Sequence, residues 1–115
     1  EGLDSYPDEG GSSLSGGQLR RFGVARALLS SAPIVLLDEP TEGLDDATAT
    51  QVLKVIGQRC QGRTLLLVTH RPAGLDQLDR IAVLDCGHLL EAGTPQALLA
   101  KPDSYVYAIN QRMAL

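Results

Sequence analysis

Two adjacent carboxylates follow a short aliphatic run, and they are the first residues in the sequence whose types and spacing suggest chemistry. Asp38 and Glu39 come directly after Ile34–Leu37, a run as apolar as a strand buried on both faces of a parallel sheet. Charge at that point is costly unless a cation or ligand uses it. An Asp there can hold Mg²⁺ on nucleotide phosphates, and the Glu can polarise an attacking water. Alone the pattern is weak, because many strands end in an acid.

Two glycines at the start of a predicted helix supply a second candidate. Ser15-Gly16-Gly17-Gln18 has an N-cap residue with Gln three positions later, which is the pattern of a capping box. A capped helix explains Ser15 and Gln18 but not Gly16 and Gly17, each of which costs about 1 kcal/mol of helix propensity. Glycines let the backbone approach a ligand closely, and a helix start favours an anion. We interpret the stretch as an anion-binding turn.

His70 is a third candidate, because it follows a second buried strand predicted over Thr64–Thr69. A crossover helix is predicted to start near Asp45 or Asp46, so the two strands form a parallel βαβ unit. A lone His is usually structural. At the carboxyl end of a strand that neighbours Ile34–Asp38, however, it can reach the same phosphate.

The remaining predicted elements are a loop over 1–13, a short helical piece around 72–78, a hairpin of strands 80–84 and 88–92, a helix starting at Thr94-Pro95 and a last helix with Tyr105 and Tyr107.

The composition fits one globular unit and excludes several classes of protein. The 115 residues carry a net charge of −4 and are 43% hydrophobic, which argues against disorder and against nucleic-acid binding through a basic face. No apolar run approaches the roughly 20 residues of a membrane span. Cys60 and Cys86 do not form a disulfide framework. Since the chain begins at Glu1 rather than Met, we expect a fragment of a longer protein.

Four stretches occur in a fixed order: Leu14–Gln18, Leu36–Thr41, Gly43–Asp45 and Thr69–Arg71. Together they resemble the nucleotide-binding domain of ABC transporters, and the resemblance covers essentially the whole chain. It implies an α/β, P-loop NTPase-like fold: the C-terminal part of an ABC ATPase domain, with a parallel βαβ core, part of the helical subdomain, and a C-terminal hairpin and helices.

The resemblance also assigns roles to the candidate residues. It implies that Ser15, Gly16, Gly17 and Gln18 are the signature that binds the γ-phosphate of ATP held by the partner domain. Asp38 matches the Walker-B aspartate near Mg²⁺, and Glu39 matches the catalytic glutamate. Gly43, Leu44 and Asp45 lie in the D-loop, which communicates across the dimer. His70 matches the switch histidine, which contacts the γ-phosphate in cis.

The sequence departs from the family pattern at its most specific motif. A P-loop requires G-x-x-x-x-G-K-S/T, and neither Lys54 nor Lys101 lies in that context. We therefore expect residues 1–31 to be part of the helical signature subdomain and 32–115 the C-terminal part of the ATPase core, with Walker B, D-loop and switch His. The intact parent is predicted to hydrolyse ATP, and this segment alone is predicted to be inactive.

Within the family, the sequence most resembles one subunit of a heterodimeric exporter of cysteine and glutathione, needed for cytochrome bd assembly. This finer resemblance rests on loop residues within Asp38–Asp45, Thr69–Leu75 and Glu91–Pro95. The implied partners are a second ATPase domain and the transmembrane domain of the same transporter, at the cytoplasmic face of the membrane, and no nucleic acid. Two alternatives stay open: the ATPase domain of a soluble ABC protein, and a non-hydrolytic regulatory half of a heterodimeric transporter.

Overall fold

A computed structural model describes residues 15–113 and divides the chain into two compact units. The first unit consists of residues up to Leu44 together with Arg59–Thr69, and the second of Asp45–Gln58 together with residues from His70 onward. The loop predicted over 1–13 lies outside the described residues. The domain boundary inferred after residue 31 rests on the resemblance and stays a prediction.

The first unit is built on two parallel strands. Strand β1 (Ile34–Asp38) pairs with β2 (Thr64–Val68), with Ile34 opposite Thr64 and Asp38 opposite Val68. The chain between them contains α2 (Asp46–Arg59), as parallel strands require a long crossover connection. The predicted parallel βαβ arrangement is confirmed, and β2 ends one residue earlier than predicted. The burial predicted for β2 is wrong, since its residues are alternately exposed and half-buried.

The burial predicted for β1 is wrong for one of its faces. Val35 and Leu37 are 4% and 5% exposed, whereas Ile34 and Leu36 on the opposite face are 64% and 63% exposed. Successive side chains of a strand point to opposite faces, so the apolar run has one buried face and one open face. Within residues 15–113, no second layer covers that open face.

Helix α1 (Gly16–Leu29) precedes β1 and is attached near its C-terminal end. The Arg63 side chain, at the entry to β2, donates from Nε to the carbonyl oxygen of Ala32 at 2.8 Å and from Nη1 to that of Leu28 at 3.4 Å. The last carbonyls of a helix lack intrahelical partners and carry partial negative charge, so a guanidinium there is favourable. Arg63 therefore ties the end of α1 to the start of the sheet.

Helix α2 carries an apolar stripe along one face. Ala49, Leu53 and Ile56 are buried and Val52 is half-buried, in the i, i+3, i+4, i+7 spacing of one helix face. The other positions are mostly exposed. Burial of this face is therefore what holds α2 in place.

The second unit continues with a hairpin and two helices. The elements are a single 3₁₀ turn at Leu75–Gln77, strands β3 (Ile81–Asp85) and β4 (His88–Gly93), and helices α3 (Pro95–Leu99) and α4 (Tyr105–Met113). Ile81, Leu98 and Val106 form its buried apolar cluster. The helical piece predicted over 72–78 is thus shorter than expected, while the hairpin and both later helices are confirmed.

The hairpin closes with two residues in the left-handed region. Cys86 and Gly87 have φ values of 46° and 77°, as a two-residue type I′ turn requires. Both cysteines are free, Cys60 buried and Cys86 exposed. Among the described helices, none has the length and apolarity needed to cross a membrane.

Candidate nucleotide site

The start of α1 carries the predicted capping box. The Ser15 hydroxyl accepts a hydrogen bond from the backbone N–H of Gln18 at 3.1 Å, and Gln18 Oε1 accepts one from the N–H of Ser15 at 3.0 Å. The box occupies two of the amides that a helix start leaves unpaired. The two it does not use belong to Gly16 and Gly17, so the helix start presents glycine amides.

Internal crowding does not explain Gly16. Apart from its chain neighbours and the backbone of α1, a Cβ atom added there would meet no atom of residues 15–113 within 4 Å, whereas one at Gly17 would lie 3.3 Å from Nη1 of Arg21. Gly16 is exposed, and Gly17 is half-buried. Crowding by the described residues therefore does not account for glycine at position 16, whereas an anion bound to the amides of a helix start would favour it.

The carboxylate pair lies at the carboxyl end of β1. Asp38 is exposed and Glu39 is half-buried. The N–H of Glu39 donates to the carbonyl oxygen of Val68 at 2.7 Å, so the ladder between the two strands continues one residue beyond β1. This bond fixes the backbone of Glu39 against the end of β2.

Glu39 also has an unusual backbone conformation. Its φ is 48°, in the left-handed region that non-glycine residues rarely adopt. Such a conformation costs on the order of 1–3 kcal/mol and persists where the surroundings enforce it, most often at functional sites. The hydrogen bond from the Glu39 N–H to Val68 is one of the contacts that hold the residue in place. The strained residue is the one that the sequence singles out as catalytic.

A tight turn follows the carboxylates. The N–H of Glu42 donates to the carbonyl oxygen of Glu39, and that of Leu44 to Thr41, both at 3.2 Å. Thr41 is only 2% exposed, and Gly43 has a φ of 82°. The predicted D-loop residues Gly43 and Leu44 therefore continue directly from the carboxylates as one compact turn.

Asp45, the third predicted D-loop residue, opens the second unit and caps α2. Its Oδ1 accepts from the N–H of Thr48 at 2.9 Å, and its Oδ2 accepts from the Thr48 hydroxyl at 2.7 Å. These hydrogen bonds favour the ionised form, and they hold the pKa of Asp45 below its ordinary value of 3.8, the backbone N–H of Thr48 contributing most. The predicted start of this helix at Asp45 or Asp46 is confirmed.

His70 is the first residue of the second unit's later segment and is exposed. Asp38 and Glu39 belong to the first unit together with residues 15–18, and Asp45 belongs to the second unit together with His70. The next residue, Arg71, forms an ion pair with Asp46 at 2.7 Å. In the sequence, Arg71 is marked only by its place in the stretch Thr69–Arg71, and no role is predicted for it there.

Comparisons with known proteins now define the family. The family model described as ABC transporter matches residues 2–42. The chain is 51% identical over 104 residues to the glutathione/L-cysteine transport system ATP-binding/permease protein CydC of Escherichia coli (strain K12), covering 90% of this chain and 18% of that protein. This chain belongs to the ABC transporter family. The CydC of Haemophilus influenzae is 44% identical over 98% of this ABC transporter chain and 20% of its own length.

Other ABC transporters are also similar. The ATP-dependent lipid A-core flippase of Alcanivorax borkumensis is 43% identical over 95% of this chain and 19% of that protein. Among solved structures, a bacterial Atm1-family ABC exporter with ATP bound matches with a TM-score of 0.75 and 35% identity, over 91% of this chain and 18% of that one. The predicted fold class is confirmed. The chain spans about a fifth of the length of the curated relatives it matches.

Proposed function

We propose that this chain is part of the ATP-hydrolysing domain of an ABC exporter. The observation that carries the proposal is the geometry of Glu39: a carboxylate residue held at the carboxyl end of a parallel strand by a 2.7 Å backbone hydrogen bond, in a strained conformation with φ of 48°. Ligands of open α/β sheets lie at that edge. A relative named as an ATP-binding/permease protein and a similar solved structure of an ABC exporter with ATP bound support the same reading.

Each candidate residue has a chemical task in this proposal. The Asp38 carboxylate, exposed at the strand end, offers the hard oxygen ligand that Mg²⁺ prefers and would hold the ion there. Bound Mg²⁺ would neutralise charge on the phosphates. Glu39 orients a water and accepts its proton, while His70 positions the γ-phosphate. The amides of Gly16 and Gly17 donate to the phosphate held by a partner domain.

The whole exporter is proposed to move a small thiol compound. CydC, named as part of a glutathione/L-cysteine transport system, is up to 51% identical, which supports cysteine or glutathione as substrate and a role in cytochrome bd assembly. The partners are then a second ATPase domain, such as that of CydD, and the transmembrane domain of the same transporter, with the ATPase domain at the cytoplasmic face. The flippases at 43% identity make lipid the competing substrate class.

Substitution of Glu39 tests the ATPase proposal. In the full-length protein, Glu39→Gln is expected to retain ATP binding and to lower steady-state hydrolysis by at least about 100-fold, because the amide keeps the shape but cannot accept the proton. The mutant should accumulate as an ATP-bound closed dimer. Asp103→Asn, at an exposed position in the second unit, is the control and should hydrolyse ATP at the wild-type rate. Wild-type turnover in Glu39→Gln would refute the assignment.

His70→Ala separates a catalytic from a structural histidine. We expect turnover to fall much more than nucleotide affinity, because the residue positions the phosphate rather than supplying most of the binding. Unchanged activity per folded molecule, with loss of folded protein, would show that His70 is structural. Uptake of labelled cysteine, glutathione or lipid into inverted vesicles, with Glu39→Gln vesicles as the blank, then identifies the substrate class.

A further inference from the structure

The segment after His70 is attached to the side of α2 by three separate contacts. Arg71 Nη2 lies 2.7 Å from Asp46 Oδ1. Gly74 packs against α2 at Leu53 and Thr50, and Gln77 Nε2 donates to the carbonyl oxygen of Thr50 at 3.4 Å. Arg71 contacts the first residue of the helix, whereas Gly74 and Gln77 contact positions one to two turns further along. Residues 71–77 therefore follow the helix from its first residue to its middle.

Gly74 shows how closely the backbone of the segment approaches the helix. A Cβ atom there would lie 2.8 Å from Cδ1 of Leu53 and 3.4 Å from Cα of Thr50. Its φ of 79° is in the left-handed region as well, so glycine is required on two grounds. The segment cannot slide along the helix without a clash, and this fixes its register on α2.

The ion pair between Arg71 and Asp46 is better shielded than an ordinary surface pair. The Arg71 side chain is 17% exposed and the Asp46 side chain 53%. The pair of Lys101 and Asp103, by contrast, is 3.8 Å apart with side chains 60% and 77% exposed. Partial burial and short distance strengthen a charge-assisted hydrogen bond, whereas an exposed, long pair contributes little. The Arg71–Asp46 pair can therefore hold its two side chains in a fixed geometry, and the Lys101–Asp103 pair cannot.

Each partner of the shielded pair is adjacent in sequence to a residue of the proposed site. Arg71 follows His70, and Asp46 follows Asp45, whose carboxylate is itself fixed to Thr48 in the first turn of α2. A displacement of the turn at Asp45 must move the first residue of α2. Through the ion pair, it must also move the backbone that carries His70.

We propose that the Arg71–Asp46 ion pair is a positioning contact that couples the D-loop to the switch histidine. The inference rests on the proposed ATPase function and adds two residues to it. Neither residue is catalytic: their role is to keep His70 and Asp45 in a fixed relation. Loss of the pair therefore changes the placement of His70 and leaves the other nucleotide contacts intact.

A double-mutant cycle in the full-length protein tests the coupling. Arg71→Met and Asp46→Asn are each expected to lower kcat for ATP hydrolysis about tenfold with KM for ATP within about twofold of wild type. The double variant should be no slower than either single one, because both remove the same contact. Arg71→Lys keeps the positive charge and should recover most of the rate. Lys101→Met and Asp103→Asn should leave kcat unchanged.

The outcomes separate this inference from the proposed function. If Glu39→Gln abolishes hydrolysis but the two single variants keep wild-type kcat, or their losses multiply in the double variant, the coupling is refuted and the ATPase proposal stands. A wild-type rate in Glu39→Gln refutes the ATPase proposal itself. If Arg71→Met does not fold, comparison of Asp46→Asn with Arg71→Lys tests the coupling. A slowed Asp46→Asn beside an active Arg71→Lys supports the ion pair, and equal rates of ATP hydrolysis in the two variants refute it.

Discussion

Replacement of Gly74 by alanine is expected to loosen the segment after His70 from α2. A left-handed backbone costs a non-glycine residue about 1–2 kcal/mol. The new Cβ would also lie 2.8 Å from Cδ1 of the buried Leu53, and overpacking of that kind costs about 1–3 kcal/mol. Together the two terms predict a loss of local stability of about 2–5 kcal/mol.

Hydrogen–deuterium exchange of the full-length protein measures this loss directly. Amides of α2 and of residues 71–78 should exchange at least about 30-fold faster in Gly74→Ala, since each 1.4 kcal/mol is a factor of ten. Gly87→Ala is the matched control: its φ is 77°, but a Cβ there would meet none of the described residues within 4 Å. Only the backbone cost applies, so exchange in the hairpin should rise by about 5- to 30-fold.

A second substitution identifies the clash as the cause. Leu53→Ala removes the methyl group that Gly74→Ala would contact, so the double variant should lose less protection than the two single losses combined. The reasoning is refuted if Gly74→Ala costs no more than Gly87→Ala, or if the two losses at positions 53 and 74 simply add. Either result would mean that the segment does not approach α2 as closely as 2.8 Å implies.

Three further predictions address other parts of the chain. Arg63→Met removes two hydrogen bonds at the end of α1 and should destabilise that end by about 2 kcal/mol, seen as faster exchange of its last amides; unchanged exchange would contradict the attachment. Because the pKa of Asp45 is lowered, its stabilisation is present above its unfolded pKa and is lost as pH falls through the folded value. Asp45→Asn should therefore flatten the acid limb of an unfolding-versus-pH curve, and an unaltered limb would exclude this role. Finally, a folded, monodisperse sample of the 115-residue chain should bind MgATP no more tightly than millimolar by calorimetry, because the P-loop amides and Lys are absent from the sequence; a micromolar dissociation constant would refute this.

Local patterns predicted most of the secondary structure. Ser15 and Gln18 encode the start of α1 because a capping box involves only four consecutive residues. The stripe that includes Leu53 and Ile56 fixed the type of α2, and the Asp85–His88 stretch encodes its own turn through Gly87. In each case the deciding interactions lie within a few residues of one another.

Contacts between distant residues could not be predicted in this way. Arg63 reaches Leu28 across 35 positions, and Arg71 reaches Asp46 across 25; strand pairing and the path of the chain bring these side chains together, and no local pattern records that. The left-handed backbone of Glu39 was equally hidden, because Glu has no preference for it. The apolar run of β1 predicted burial of both faces, because the sequence of a strand does not record whether another layer of the structure covers each face.

Helix α1 is held near its C-terminal end, so a small rotation there displaces its first residues by a larger distance. Arg63 holds its last turn, and none of its residues, which all lie in the described part of the chain, is buried. Fourteen residues make a helix about 21 Å long, so a tilt of about 5° at the held end shifts Ser15 by about 2 Å. Hydrogen bonds tolerate only about 0.5 Å of variation in length. A rotation of about 5° at the held end would therefore move Gly16 and Gly17 by more than a hydrogen bond to their amides tolerates.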